Sequence, residues 1–505
     1  MRISILLLLV SLTISVTAQS FKWGTPVKHE KLEFSENSVV KRYLLVEGMF
    51  GMKRLRVEKG EIIGNATITL EVYDINLELK KTKVVFEGGM DPRQYEDIII
   101  VDNKFHVFTT FFDYKAKTNT LKLLTFGFDG EQIGEDKVLD VIENSKILGP
   151  GNFYVAGSKN GQHFASIGLP PYKRKTQETV QVKTYDADFN EVFSDAILLE
   201  HKRKRILSNT PFITNAGEFY MTKRIKVKKI GEVFEMYHLD KGSKKLSATA
   251  IDLPQNSKPA TIYNTVLEAN NGDVIWAGEQ KEDKNMRAAR GVFFVRFDKT
   301  GKVVDQMAAN LAKTPKLGIT GFSIKKVELI GDDLYYFADL NGRNVQSGSN
   351  PQQPSYAYSG GNLHIIKVSN GKIAWENTIE RSGITQFGGK GSMVDWGWNI
   401  ADGTVVVFYN DLHRLYDRRV DKFMKDAPNL IPIQVVIGED GQMEKFPLLN
   451  ADLGKYGDKY NQRKRLFGRV EDAYAFCPNE IYQRDGFLLV KCTNGVDFKL
   501  GKVKY

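Results

Sequence analysis

Apolar and polar residues alternate along most of this chain in short runs, and tight-turn residues separate the runs. Phe105-His106-Val107-Phe108, Phe219-Tyr220-Met221, Val274-Ile275-Trp276, Leu334-Tyr335-Tyr336-Phe337 and Val405-Val406-Val407-Phe408 are examples. Such runs, bounded by Asp, Asn and Gly, predict β-strands joined by hairpins. A second signal recurs with a long period. Strand residues run into an Asp/Asn/Gly turn at Asp74, Asp129, Asp186, Asp240, Asp298, Asn370 and Asp440. Successive spacings are 55, 57, 54, 58, 72 and 70 residues. Asp and Asn cap such turns through their side chains, and Gly takes positive φ at no steric cost.

A tight turn also lies upstream of most of these, at Asn103-Lys104, Pro150-Gly151, Ala216-Gly217, Asn271-Gly272, Asp332-Asp333, Asp402-Gly403 and Asp485-Gly486. Each unit therefore reads as strand A, tight turn, strand B, longer connection, strand C, tight turn, strand D. Four antiparallel strands repeated at this period make an all-β β-propeller. The end segments 19–88 and 451–505 have the length of two further units, so the expected count is eight blades, with seven as the alternative. Residues 21–34 are placed to add the last strand of the final blade and remove its free edge.

Ile366-Lys367-Val368-Ser369-Asn370-Gly371-Lys372-Ile373-Ala374-Trp375 resembles the blade motif of the pyrroloquinoline-quinone-like propeller repeats. There a Gly-Lys turn precedes a Trp that docks between blades. Phe297 to Val303 matches the turn but has Asp305 where the Trp stands. The resemblance implies propeller geometry. It implies neither a quinone cofactor nor dehydrogenase activity, and no cofactor is expected.

The first twenty residues read as a secretory leader. Arg2 supplies the positive end, Ile3 to Val10 the apolar run, and Val16-Thr17-Ala18 the small-residue cleavage site. Residues 1–18 are expected to be removed, leaving 19–505 as one propeller domain. The apolar run is too short to span a bilayer, and no second run of that length follows. The expected destination is the periplasm, the cell surface or the medium. Hydrophobic content of 42% fits a folded core and not a disordered chain.

The net charge of +10, or +9 without Arg2, favours acidic partners. Lys173, Arg174 and Lys175 fall in one B–C connection. Lys223, Arg224, Lys226, Lys228 and Lys229 fall in the next, and Lys202 and Arg203 in a D–A connection. Over 173–245 there are sixteen Lys or Arg against ten Asp or Glu. The B–C connections are the long ones, near 169–180, 222–232, 281–290, 342–361 and 410–430. In an antiparallel blade they emerge on the face opposite the tight turns. That face is the candidate working surface. The connection 342–361 reads as a flexible polar lid with Tyr356 and Tyr358. Residues 411–425 read as a short helix, with Leu412, Leu415, Tyr416, Val420, Phe423 and Met424 on one side.

Catalytic and metal signatures fail on spacing. Phe387 to Ser392 lacks the Ser or Thr that a phosphate loop needs after Lys390. Asp186 to Asn190 lacks the Gly and the Glu of a calcium loop. The seven histidines are scattered, and no nucleophile stands beside a base. No catalytic residue and no metal ligand is assigned, and no nucleic-acid motif occurs. The expected function is therefore a non-catalytic binding or scaffold role. Its expected partner is an anionic glycan, another anionic polymer or an envelope protein. A glycosidase-like hydrolase using carboxylates at the propeller mouth is the alternative. Cys477 and Cys492 have an index sum of 969, centred on the 484–486 turn. They are expected to lie opposite each other and form a disulfide that pins the final blade.

Overall fold

The structure is a computed structural model. It describes residues 21–23, 27–28, 39–48, 51–59, 66–74, 76–87, 93–101, 104–143, 151–171, 176–202, 206–227, 231–240, 245–254, 258–281, 291–311, 322–340, 343–347, 355–359, 361–381, 385–387, 396–412, 430–447, 475–476, 482–484, 487–493 and 497–504. Every long element among them is a β-strand. Seven four-stranded antiparallel sheets follow one another along the chain, over 39–87, 93–142, 152–202, 206–251, 258–310, 322–379 and 397–447. In each, the strands pair in sequence order A-B-C-D. No helix among the described residues is long and apolar enough to cross a membrane.

Radial packing explains why the B strands read as unbroken apolar runs. Alternate residues of a strand point to opposite faces, and here both faces are covered. In the fifth sheet Ile275, Ala277, Val292 and Phe294 pack on Ile324, Leu334, Tyr336 and Ala338 of the sixth. The intervening Val274, Trp276, Phe293 and Val295 pack on Tyr220, Phe234 and Met236 of the fourth. Comparable clusters join every other consecutive pair, from the first and second sheets to the sixth and seventh. The A strands of sheets two and three, three and four, and five and six lie against each other, which marks A as the inner strand. Sheets stacked face to face with one edge inward make a β-propeller.

Among the described residues, seven four-stranded sheets replace the expected eight. Among the described residues, the end segments do not supply two further units of that kind. Residues 39–87 form one. The C-terminal strands join a sheet of six short strands in which Phe21–Trp23 and Val27–Lys28 pair antiparallel with Asp497–Lys504. Both chain ends are thus tied into one sheet.

Two further expectations change here. The helix near 411–425 is not seen: Asp411 and Leu412 end the strand Thr404–Leu412, and 413–429 lie outside the described residues. Register sets Cys492 opposite Phe476, an index sum of 968 where 969 was expected. One residue of slip exchanges the two faces of a strand. No cysteine pair is seen among the described residues, and Cys477 lies outside them. The leader, residues 1–18, also lies outside them.

Each sheet is tied to the next at its turns. Trp375, on the outer strand of the sixth sheet, donates its Nε1–H to the Glu439 carbonyl in the turn of the seventh, at 3.0 Å. Gly441 in that turn has φ +82, and a Cβ there would lie 2.8 Å from the indole. Only glycine fits both the conformation and the contact. Asp305 sits under Gly371 in the same way, one sheet earlier.

Candidate functional site

Every B strand runs from the A–B turn towards the B–C connection, so its last residues lie at the loop end of the ring. Residues can be counted from Phe105, Phe164, Phe219, Val274, Leu334 and Val405, the first large apolar residue after each turn. The sixth residues are then Thr110, Leu169, Arg224, Glu279, Asp339 and Asn410. Five of the six are polar or charged, in strands that are mostly apolar up to that level. They form a polar layer across the loop end of the sheets.

Many polar groups in this layer are buried, and several have an atom with no hydrogen-bond partner among the described residues. These atoms are Thr109 Oγ1, Asp140 Oδ2, Gln181 Oε1, Arg224 Nε, Glu279 Oε2 and Gln280 Oε1. Buried polar atoms are normally paired, so such a concentration marks a functional candidate. Asp140 stands level with Thr110 through the pairings Asp140–Leu121 and Leu121–Thr110. A Cβ on Gly168 would lie 2.7 Å from Gln181 Oε1 and 3.2 Å from Asp140 Oδ2, so both oxygens converge where that side chain is missing. Burial raises the Asp140 pKa, and Lys183, with Nζ 3.3 Å from Oδ1, offsets part of the rise.

Glu279 is fully buried at the loop end of the fifth sheet. Its Oε1 accepts from the Ile324 backbone N–H of the sixth sheet, and Ser323 also hydrogen-bonds to the carboxyl. Burial pushes its pKa up to about 7, with these two bonds pulling the other way. Gln280, also fully buried, points to the opposite face, the side of Trp276, and donates Nε2–H to Asn310 Oδ1. Arg224 shares a strand face with Tyr220, whose cluster adjoins the fifth sheet. Arg224 and Gln280 therefore border the same gap between the fourth and fifth sheets.

Between the sixth and seventh sheets the layer turns aromatic. Arg381 follows the last strand of the sixth sheet. It donates Nε–H to the Asn410 carbonyl at 3.2 Å and lies 4.9 Å over the Trp396 ring and 5.8 Å over the Tyr409 ring. Across the ring, Lys223 Nζ pairs with Glu178 Oε2 at 2.8 Å, both almost wholly shielded from solvent.

The structure redistributes the residues expected on the basic face. The strand Phe219–Val227 extends through Lys226, which pairs in register with Glu232, so the expected connection 222–232 shrinks to 228–230. Ile225 and Val227 alternate with the charges and keep the strand going. Lys223, expected on the surface, is buried. Lys202 ends the strand Glu191–Lys202 and pairs with Gln177. Lys173, Arg174, Lys175, Arg203 and Lys228 lie outside the described residues.

The expected flexible lid at 342–361 contains a hairpin. Arg343–Ser347 pairs with Ser355–Ser359, and Thr385–Phe387 from the connection between the sixth and seventh sheets adds a third strand. A B–C connection and a D–A connection meet there, which places both on one face of the ring. Tyr356 stands opposite Gln346, and Tyr358 lies between Asn344 and Gln386.

No protein-family model and no curated protein matches the sequence. Solved structures resemble it remotely. A polysaccharide lyase, Uly1, is 11% identical, with 83% of this chain and 91% of that one covered and a TM-score of 0.35. The β-propeller domain of the Trilobed protease from Pyrococcus furiosus is 7% identical, with 81% and 96% covered and a TM-score of 0.36. An acylaminoacyl peptidase from Pyrococcus horikoshii is 8% identical, with 92% and 59% covered and a TM-score of 0.37.

Proposed function

We propose that this protein is an exported, glycan-binding propeller whose ligand seats on the loop face of the ring. The observation that carries the reading is the polar layer. Buried donors and acceptors without a partner among the described residues gather at one end of the sheets, and they are of both kinds. Arg224 Nε offers a donor, while Gln280 Oε1, Gln181 Oε1 and Thr109 Oγ1 offer acceptors. A hydroxyl both donates and accepts, so a hydroxyl-rich ligand matches this mixture better than a purely anionic or apolar one. Lys173, Arg174, Lys202 and Lys226 suit acidic groups on such a ligand.

The test is the affinity of the full chain for immobilised oligosaccharides. Arg224→Ala with Gln280→Ala should weaken retention roughly tenfold, since each lost hydrogen bond costs about 0.5–1.5 kcal/mol. Failure of the wild-type protein to retain any neutral or acidic oligosaccharide would refute the reading.

A hydrolase remains the second reading because of Glu279. A carboxyl held near pKa 7 suits a general acid. Asp339, directly opposite Ser323 in register, would be the second carboxyl that glycoside hydrolysis requires. Release of reducing ends that Glu279→Gln abolishes would select this reading over simple binding.

A further inference from the structure

The loop end of the gap between the fourth and fifth sheets holds a cation without a counter-charge. Arg224 pairs in register with Phe234, and opposite residues of an antiparallel pair share a face. Phe234 meets Trp276 of the fifth sheet, with ring centroids 5.7 Å apart, so Arg224 faces this gap. Tyr220, Phe234 and Ile251 share its face and are buried, which makes its surroundings apolar. Arg224 is half-buried, and its Nε–H is shut off from solvent. Among the described residues, neither a hydrogen bond nor an ion pair reaches its guanidinium. By contrast, Lys183, Lys223, Arg296 and Lys367, which are buried or half-buried as well, each meet a carboxylate. On the facing sheet the row Gln280, Gly291 and Asn310 is neutral, with Gln280 donating to Asn310. Asn310 is exposed, and Arg224 keeps part of its surface in solvent, so a ligand can reach the gap at this end.

We infer that Arg224 is the anchor for a singly charged acid group of the glycan, a carboxylate or a sulfate ester. The inference rests on the glycan-binding reading and adds the ligand's charge and the residue that reads it. Taking a charge out of water costs free energy unless a counter-charge compensates, and here the protein supplies none among the described residues. The unbonded Nε–H and a neighbouring Nη–H form one edge of the guanidinium, with two parallel donors for two oxygens of such a group. The apolar surroundings strengthen the attraction, because less water screens it. One cation matches one negative charge. A phosphate monoester would bring a second charge into the gap, and a neutral hydroxyl would leave the cation uncompensated.

The experiment uses the full chain and two matched pairs of oligosaccharides. One pair is a galacturonate hexasaccharide and its methyl ester, the other a carrageenan hexasaccharide and its desulfated form. Titration in about 0.5 M salt screens the exposed lysines. The wild type should prefer the acidic member of at least one pair roughly tenfold, equivalent to about 1.4 kcal/mol. The pair that shows the preference identifies the acid group as carboxylate or sulfate. Arg224→Met keeps an unbranched stem and removes the charge, so it should bind both members of that pair alike. If the methionine variant does not fold, Arg224→Lys is read instead; it keeps the charge but not the fork, and the preference should fall roughly threefold. Equal binding of acidic and neutral forms by the wild type would overturn the anchor and leave the loop-face reading standing. An unchanged preference in whichever variant is read would do the same. No binding of any oligosaccharide would remove the glycan reading itself.

Discussion

Replacing Glu279 by Gln should stabilise the protein above pH 7 and change little near pH 5. Glu279 has a folded pKa of about 7 against an ordinary value of 4.5, because burial disfavours its charged form. The folded state therefore holds this proton more tightly than the unfolded state does. The stability that follows is fully present below the unfolded value and is lost as pH rises through about 7. At about 1.4 kcal/mol per pH unit, the gap amounts to on the order of 3 kcal/mol. Above pH 7 the wild type must keep a carboxylate whose Oε2 has no partner among the described residues. Gln carries no charge at any pH and can still accept from the Ile324 N–H. Urea unfolding at pH 5 and pH 8 should show the two proteins alike at the lower pH and the variant ahead at the higher. An equal loss of stability at both pH values would mean that the carboxylate itself is needed in the fold.

The second large effect is expected at Glu178 and Lys223. Both are shielded from water and lie 2.8 Å apart, so removing either takes from the other its charge partner at this contact. Lys223→Met or Glu178→Leu alone should cost about 3–5 kcal/mol. The double replacement should cost less than the sum of the two, because the second replacement finds this contact already gone. The coupling in a double-mutant cycle is the measured quantity. Strictly additive losses would show that the two side chains act independently.

Much of this architecture could be read from residue order, because its determinants are local. The Asp-Gly turns and the apolar B strands mark the sheets, and strand polarity alone sets the long connections on one face. The polar switch at Thr110, Arg224, Glu279, Asp339 and Asn410 is also visible in the sequence. It becomes a layer only when the strands are set in register, which depends on contacts between residues far apart in the chain. Lys223 and Lys226 sit in a cluster of basic residues that reads as loop, yet Ile225 and Val227 hold them in a strand. The hairpin at Arg343–Ser347 and Ser355–Ser359 is hidden by the Ser, Gly, Asn and Pro residues between its strands. Its third strand comes from a different connection, so no local pattern could announce it. The offset at Cys492 has the same origin. The index sum assumes an unbroken hairpin, whereas Tyr482–Arg484 and Ala475–Phe476 pair with Phe487–Thr493 in different registers.

Hydrogen–deuterium exchange of the full chain, with and without a bound oligosaccharide, tests the central claim most directly. Binding at the loop face should slow exchange at the loop ends of the B strands, around Lys223–Val227, Glu279–Lys281 and Asp339–Leu340. The hairpin turns at 298–302 and 438–442 should exchange as in the free protein. Protection confined to those turns, with the loop ends unchanged, would contradict the account.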